Sequence, residues 1–378
     1  MGRTRVLFWA VAAHVLSVLA VLAMSAVAHA QIVIVKKDQR PLPIDEATRD
    51  EVIDKVLNAL QEEYVFPEVA AKMAKAVRQR QENNDYAKVK TGQELAELLT
   101  KHLQEVSKDK HLRITCSTQK LPKPPEGKKP TPQMKERMRQ MALKTNAGYR
   151  KVERLAGNVG YLAVDGFMDA HIAAEPAAAA MNFLANTDAL IIDVRRNGGG
   201  GPQSVALLCS YLFDEKPVHL NSLYWRKSDR TEEFWTRKEV AGKRYIGKDV
   251  YILTSERTFS AAEEFAYDLQ AQKRATIVGA TTGGGAHPGG ARPIGDHFVM
   301  FVPAGRAINP ITKTNWEGVG VKPDVPVSAD EALDKAHELA VQKILANAKD
   351  DQTRMLIQMD LQRSKDPSKD KPAKEAKE

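Results

Sequence analysis

The chain has 378 residues, with 56 Lys and Arg against 48 Asp and Glu for a net charge of +8, and only two cysteines. Cys116 and Cys209 cannot make a disulfide-stapled scaffold, and no CxxC, HExxH or clustered His/Asp spacing points to a metal or other cofactor. Much of the positive charge lies in residues 120–154 and after Arg363, runs poor in aromatic residues, which speaks against a nucleic-acid partner.

Arg3 and Arg5 precede a mostly apolar run, Val6 to Val27, that ends at Ala28-His29-Ala30. A positive end, an apolar stretch and a small-x-small site mark a secretory signal over residues 1–30. The competing reading is an uncleaved anchor, since the run is nearly long enough to span a bilayer. No second run approaches that length, so the mature chain is expected in the periplasm or the medium, without stable membrane insertion. It keeps about 350 residues, enough for one large core and a smaller module.

Residues 31–115 read as that module. Val52, Ile53, Val56, Leu57 and Leu60 recur at helical spacing, a second helix runs from about Pro67 to Gln81, and a third covers Gly92 to Val106. Thr91 with Glu94 forms a weak capping box for the third. A short strand, His111 to Thr115, closes the module. Residues 116–150 hold an exposed basic, proline-rich stretch and a helix from Met134 to Lys144, whose Met134, Met138 and Met141 suggest a packed face.

From residue 151 strands alternate with helices. Strands are expected at Asn158–Val164, Ala189–Val194, Val250–Leu253 and Thr276–Val278. Helices are expected at Ile172–Asn186, Gln203–Phe213, after Ser260 and at Glu331–Ala348. This alternation predicts an α/β layer fold over 151–348, with functional loops at strand ends. Residues 349–378 are charged and Pro-containing, and read as a disordered tail.

The most telling stretch is Tyr251 to Gln270, where a buried strand breaks at a polar turn and restarts as a helix. Ser260 sits at the hinge. It is either a helix cap, worth about 1 kcal/mol, or a nucleophile beside free backbone N–H groups. Three other segments suggest chemistry. Asp193 to Gly200 runs from a strand into a glycine loop suited to holding an anion, although no phosphate-loop Lys-Ser/Thr follows. His111 opens an alternating strand, and Glu317 precedes closely spaced glycines. Alone, each of these two would pass for a structural histidine and a solvated carboxylate. Glu263 and Glu264, in the first turn after Ser260, are expected to face solvent, the alternative being that one of them helps to position the active site.

Taken together, TSERTFSAAEEFA, DVRRNGGG, GATTGGGAHPGG and EGVGVKPDV resemble the C-terminal processing protease family of serine peptidases. The resemblance covers about residues 45 to 330 and implies a ClpP/crotonase-like core of ββα units preceded by a small helical N-terminal module. It makes Ser260 the nucleophile and the N–H groups of Gly199 and Ala261 the oxyanion hole. Two departures matter. Where Ser–Lys members carry a lysine, this chain has Gly285, so that dyad is absent. Nor is there room before residue 158 for a PDZ domain. The pattern is similar instead to the tricorn-protease core and the interphotoreceptor retinoid-binding protein-like branch. There the base is a histidine preceding the core, matching His111, and a late-loop glutamate, matching Glu317, completes the relay. His287 competes as base, and is otherwise expected to line the substrate cleft with Gly284. The implied activity is hydrolysis of unfolded proteins or peptides by an exported serine endopeptidase. The alternative is a non-catalytic binding protein for an apolar ligand or peptide on the same fold.

Overall fold

Three amphipathic helices open the computed structural model, which describes residues 41–122 and 131–365. The expected signal over 1–30 and the end of the charged tail lie outside the described residues. The helices are α1 (Glu46–Glu63), α2 (Pro67–Glu82) and α3 (Gly92–Ser107). Asp45 caps α1 by accepting from the Thr48 N–H, and Thr91 and Glu94 cap α3 reciprocally, as expected. Next come β1 (Arg113–Cys116) and α4 (Pro132–Lys144). The Met stripe of α4 is a correction: Ala142 is the one buried residue of this helix, and Met141 is about half exposed.

The core runs through β2 (Tyr149–Leu155), β3 (Val159–Val164), α5 (Ala170–Leu184), β4 (Ala189–Asp193) and α6 (Pro202–Ser210). It continues with β5 (His219–Trp225), β6 (Arg230–Trp235), β7 (Asp249–Thr254), α7 (Ala261–Ala271) and β8 (Thr276–Gly279). Then follow β9 (Gly289–Pro293), β10 (Phe298–Pro303), β11 (Gly305–Ile308), β12 (Val325–Pro326), α8 (Ala332–Asn347) and α9 (Asp351–Lys365). Helix α9 corrects the expectation of a disordered tail from residue 349. Asp360 on it accepts from Arg154 and from the Gly157 N–H, which ties the helix to the core.

One six-stranded sheet, ordered β12-β8-β7-β4-β3-β2, is parallel except at β2. Parallel strands need cover on both faces, so β3, β4 and β7 are almost wholly apolar. One face packs against α5, α6 and α7, the other against α8. Strands β4 and β7 are neighbours, which brings the loops at their C-terminal ends side by side, where ligands of such sheets bind.

Two smaller sheets, β1-β10-β9 and β11-β5-β6, complete the fold. The first joins the halves of the chain, because β1 of the helical module pairs antiparallel with β10. Phe298, Met300 and Val302 of β10 are buried in the same cluster as Ile53, Leu60 and Leu99. His111 is thereby delivered to the core by a strand pairing of long sequence separation.

Candidate active site

Ser260 stands between β7 and α7 with φ 56° and ψ −123°, a conformation that non-glycine residues avoid. Such strain costs of order 1–3 kcal/mol and persists only where the surroundings enforce it. Here they do. The Thr258 hydroxyl donates to Val194 O at 2.9 Å, Ser255 Oγ donates to Arg195 O at 2.7 Å, and the Phe259 N–H donates to Asn197 O at 3.1 Å. The loop after β4 is braced in turn. Arg195 Nη2 meets Asp193 Oδ2 at 2.7 Å, and Tyr161 donates to the same oxygen at 2.7 Å. Burial raises the Asp193 pKa, but these donors outweigh it and hold the carboxyl below its ordinary value.

The two loops touch at Gly199, whose φ is 115°. A Cβ there would fall 2.8 Å from Ser260 Cβ, so only glycine permits this approach. Of the two expected oxyanion donors, Ala261 N–H leads a helix, where backbone donors have no intrahelical acceptor. The Gly199 N–H is not free. It donates to Asn197 Oδ1 at 2.9 Å.

Glu263 and Glu264 correct the sequence reading, because both are buried, at 0% and 4% exposure. The helix charges were read as a solvent face, but the glycine loop after β8 covers Glu263. Its carboxylate accepts from the Ser260 N–H at 2.8 Å, the Gly284 N–H at 2.6 Å, the Gly285 N–H at 2.9 Å and the Thr282 hydroxyl at 2.5 Å. Glu263 thus fastens the serine turn to the glycine loop.

His111 faces that loop too. Its ring lies 4.6 Å from that of Phe259 and stacks on Phe301 at 5.6 Å. A Cβ on Gly285 would fall 2.7 Å from His111 Cε1 and 2.3 Å from the Phe259 ring. Neither ring nitrogen of His111 has a hydrogen-bond partner. Burial pushes its pKa down to about 4, against the pull of Asp109 and with the help of His287 and Arg113, so the ring is neutral at pH 7.

Glu317 does not bond to His111. Its Oε2 accepts from the Ala286 N–H at 2.5 Å and lies 3.5 Å from His287 Nδ1, while Oε1 is buried without a partner. Burial, then Asp109, pushes its pKa up to about 7. His287 Nδ1 is 2.8 Å from Asp109 Oδ2, and Tyr64 donates to the same carboxylate at 3.2 Å. Burial disfavours a charged His287, but the Asp109 hydrogen bond and the Glu317 field prevail and raise its pKa. Asp109 opens the segment that holds His111, but no role for its side chain is legible from the sequence alone. It also holds the His111 N–H at 3.0 Å.

Asp109, His287 and Glu317 form a group whose donor atoms lie within 4.8 Å of one another, the geometry a cation requires. Asp109 and His287 Nδ1 already bond to each other as an acid–imidazole pair, while Glu317 Oε1 stays without a partner.

Ser260 opens on a narrow cleft of about 30 Å³ whose walls include Ala261, Leu223, Phe234 and Trp316. The expected cleft residues Gly284 and His287 are not part of this wall. Gly284 is turned to Glu263 and His287 to Asp109, and Gly285 and Ala286 line the cleft in their place.

Comparisons with known proteins identify the family and the fold. Residues 158–327 match the model of peptidase family S41, and residues 46–147 match the N-terminal domain of that family in eukaryotic IRBP. A candidate peptidase from Parabacteroides merdae superposes with TM-score 0.55 at 19% identity, over 80% of this chain and 98% of that one. A lipoprotein from Streptococcus agalactiae does so with TM-score 0.53 at 16% identity, over 81% of this chain and 99% of that one. With a ClpP/crotonase-like core behind a helical N-terminal module, the chain belongs to peptidase family S41.

Proposed function

We propose that this chain is an exported endopeptidase that cleaves unfolded proteins or peptides through Ser260, His111 and Glu317. The observation that carries the reading is the position of His111. The space into which a side chain at Gly285 would grow is filled by the Phe259 ring and, beside it, the His111 ring, so an imidazole borders the position where a dyad lysine would enter. Two further features support it. Ser260 is held in a strained turn, and His111 is neutral with an unused lone pair, as a base must be. His287, whose Nδ1 is held by Asp109 at 2.8 Å, is the competing base.

In this mechanism Ser260 Oγ attacks the scissile carbonyl and its proton passes to His111. The Ala261 N–H receives the oxyanion, and Gly199 N–H joins by sharing its proton with Asn197. Collapse expels the amine, which takes the proton from His111, and leaves an acyl group on Ser260. Water, deprotonated by His111, then releases the acid. Buried polar atoms without partners call for an explanation. The His111 nitrogens and Glu317 Oε1 are such atoms, and substrate binding would bring them together as the relay. Export rests on residues 1–30 alone.

One observation favours a second reading. An imidazole wedged between Phe259 and Phe301 with no polar contact also suits a non-catalytic site for an apolar ligand or peptide. A fluorophosphonate probe separates the two. Labelling that maps to Ser260 and is lost in Ser260→Ala and His111→Ala is the expected result. Labelling kept in His111→Ala transfers the base role to His287, and no labelling of folded wild type favours the binding protein.

A further inference from the structure

Glu264 and Asp268 lie four apart on one face of α7, and Glu264 lies in the first turn after Ser260, the residue that caps this helix. Glu264 lines the cleft beside Ser260 at 4% exposure, and its Oε1 has no hydrogen-bond partner. Asp268, at 0% exposure, accepts from Asn309 Nδ2 at 3.1 Å and leaves Oδ2 without a partner. Among the described residues neither carboxyl is in an ion pair with Lys, Arg or His. The charged residues lining the cleft are Glu264 and, on β6, the exposed Glu232, with no Lys or Arg, although the chain carries a net charge of +8.

We propose that this cleft is a specificity pocket for a basic side chain, Lys or Arg, on the residue whose carbonyl Ser260 attacks. The proposal rests on the peptidase reading. Leu223, Trp225, Phe234 and Trp316 sheathe the aliphatic stem, as long cationic side chains require. Glu264 stands one helical turn, about 5.4 Å along the axis, from the serine and meets the charged end. Burial pushes the Glu264 pKa up to about 8 against the pull of Asn221, and a hydrogen-bonded cation would offset the cost of ionising this carboxyl. Asp268, a turn deeper, is pushed toward its protonated form by burial and by the Glu264 carboxyl, and stands behind Glu264 as a further hydrogen-bonding group.

The test uses fluorogenic peptides that differ only in carrying Lys, Arg, Gln or Leu at that position. Wild type is expected to favour Lys and Arg over Leu by about tenfold or more in kcat/KM. Glu264→Gln is expected to collapse that ratio. A Leu preference, or a Glu264→Gln effect equal on all substrates, overturns the proposal. Calorimetry with Ser260→Ala, which binds without turnover, separates the two readings. Glu264-dependent binding of the Lys peptide over the Leu peptide, with no cleavage by wild type, keeps the pocket and sinks the peptidase reading. Cleavage without a basic preference does the reverse. Should Glu264→Gln fail to fold, the wild-type ratio still decides.

Discussion

At the scale of single residues, His111 and His287 are neighbours driven in opposite directions. Burial among Phe259, Phe301 and Gly285 lowers the His111 pKa from an ordinary 6.5 to about 4, and Asp109 raises that of His287. The signs follow by linkage. On acidification the unfolded chain takes up the His111 proton first, so that contribution to stability is lost as pH falls from about 6.5 towards 4. His287 contributes fully below its unfolded value and loses its contribution as pH rises through its folded one. Catalysis is predicted to follow His111. With a base of that pKa, the acid limb of kcat/KM should lie well below pH 6.5. A limb centred at or above 6.5 would assign the base to a carboxylate-stabilised histidine, which here means His287.

Among elements, the loop from β8 to β9 sets the geometry of the site. It presents N–H groups to Glu263 and leaves at Gly285 the space that His111 and Phe259 fill. Gly285→Ala is predicted to displace both rings, costing about 1–3 kcal/mol of stability and more than tenfold in kcat/KM. Gly290→Ala, on β9 where a Cβ meets nothing within 4 Å, is the matched control and should leave both nearly unchanged. Equal effects in thermal melts and turnover would show that only the chain's flexibility matters. The parallel strands and their helices were legible because local periodicity records burial, and the Ser260 turn because strand and helix signals meet there. Strands β5, β6 and β9 to β11 were not foreseen, since their pairing is non-local and their apolar residues alternate weakly. For the same reason Glu263 and Glu264 read as surface charges. Nothing within one helix tells that a loop some twenty residues later will cover them. The pairing of Glu317 with His287 rather than His111 was hidden likewise, because it depends on how a late turn docks against the loop between β8 and β9.

For the whole molecule, the pairing of β1 with β10 makes the site the property of two regions at once. The helical module supplies Asp109 and His111, the sheet supplies Ser260, and Phe298, Met300 and Val302 bury themselves among the module's helices. Arg292 on β9 adds ion pairs to Glu62 and Glu63 at the end of α1. Regions that share a hydrophobic cluster should unfold together, and the tryptophans allow a direct check. The three in the described residues, Trp225, Trp235 and Trp316, all lie outside the module. Leu99→Ala, deep in the module at 0% exposure, is expected to cost about 2–5 kcal/mol. If the regions are coupled, the tryptophan-emission transition in urea moves to lower denaturant with the helical circular-dichroism transition, and labelling of Ser260 disappears over the same range. If they are independent, ellipticity falls first while the emission midpoint holds. His111 would then be lost from the site before the sheet that carries the nucleophile begins to open.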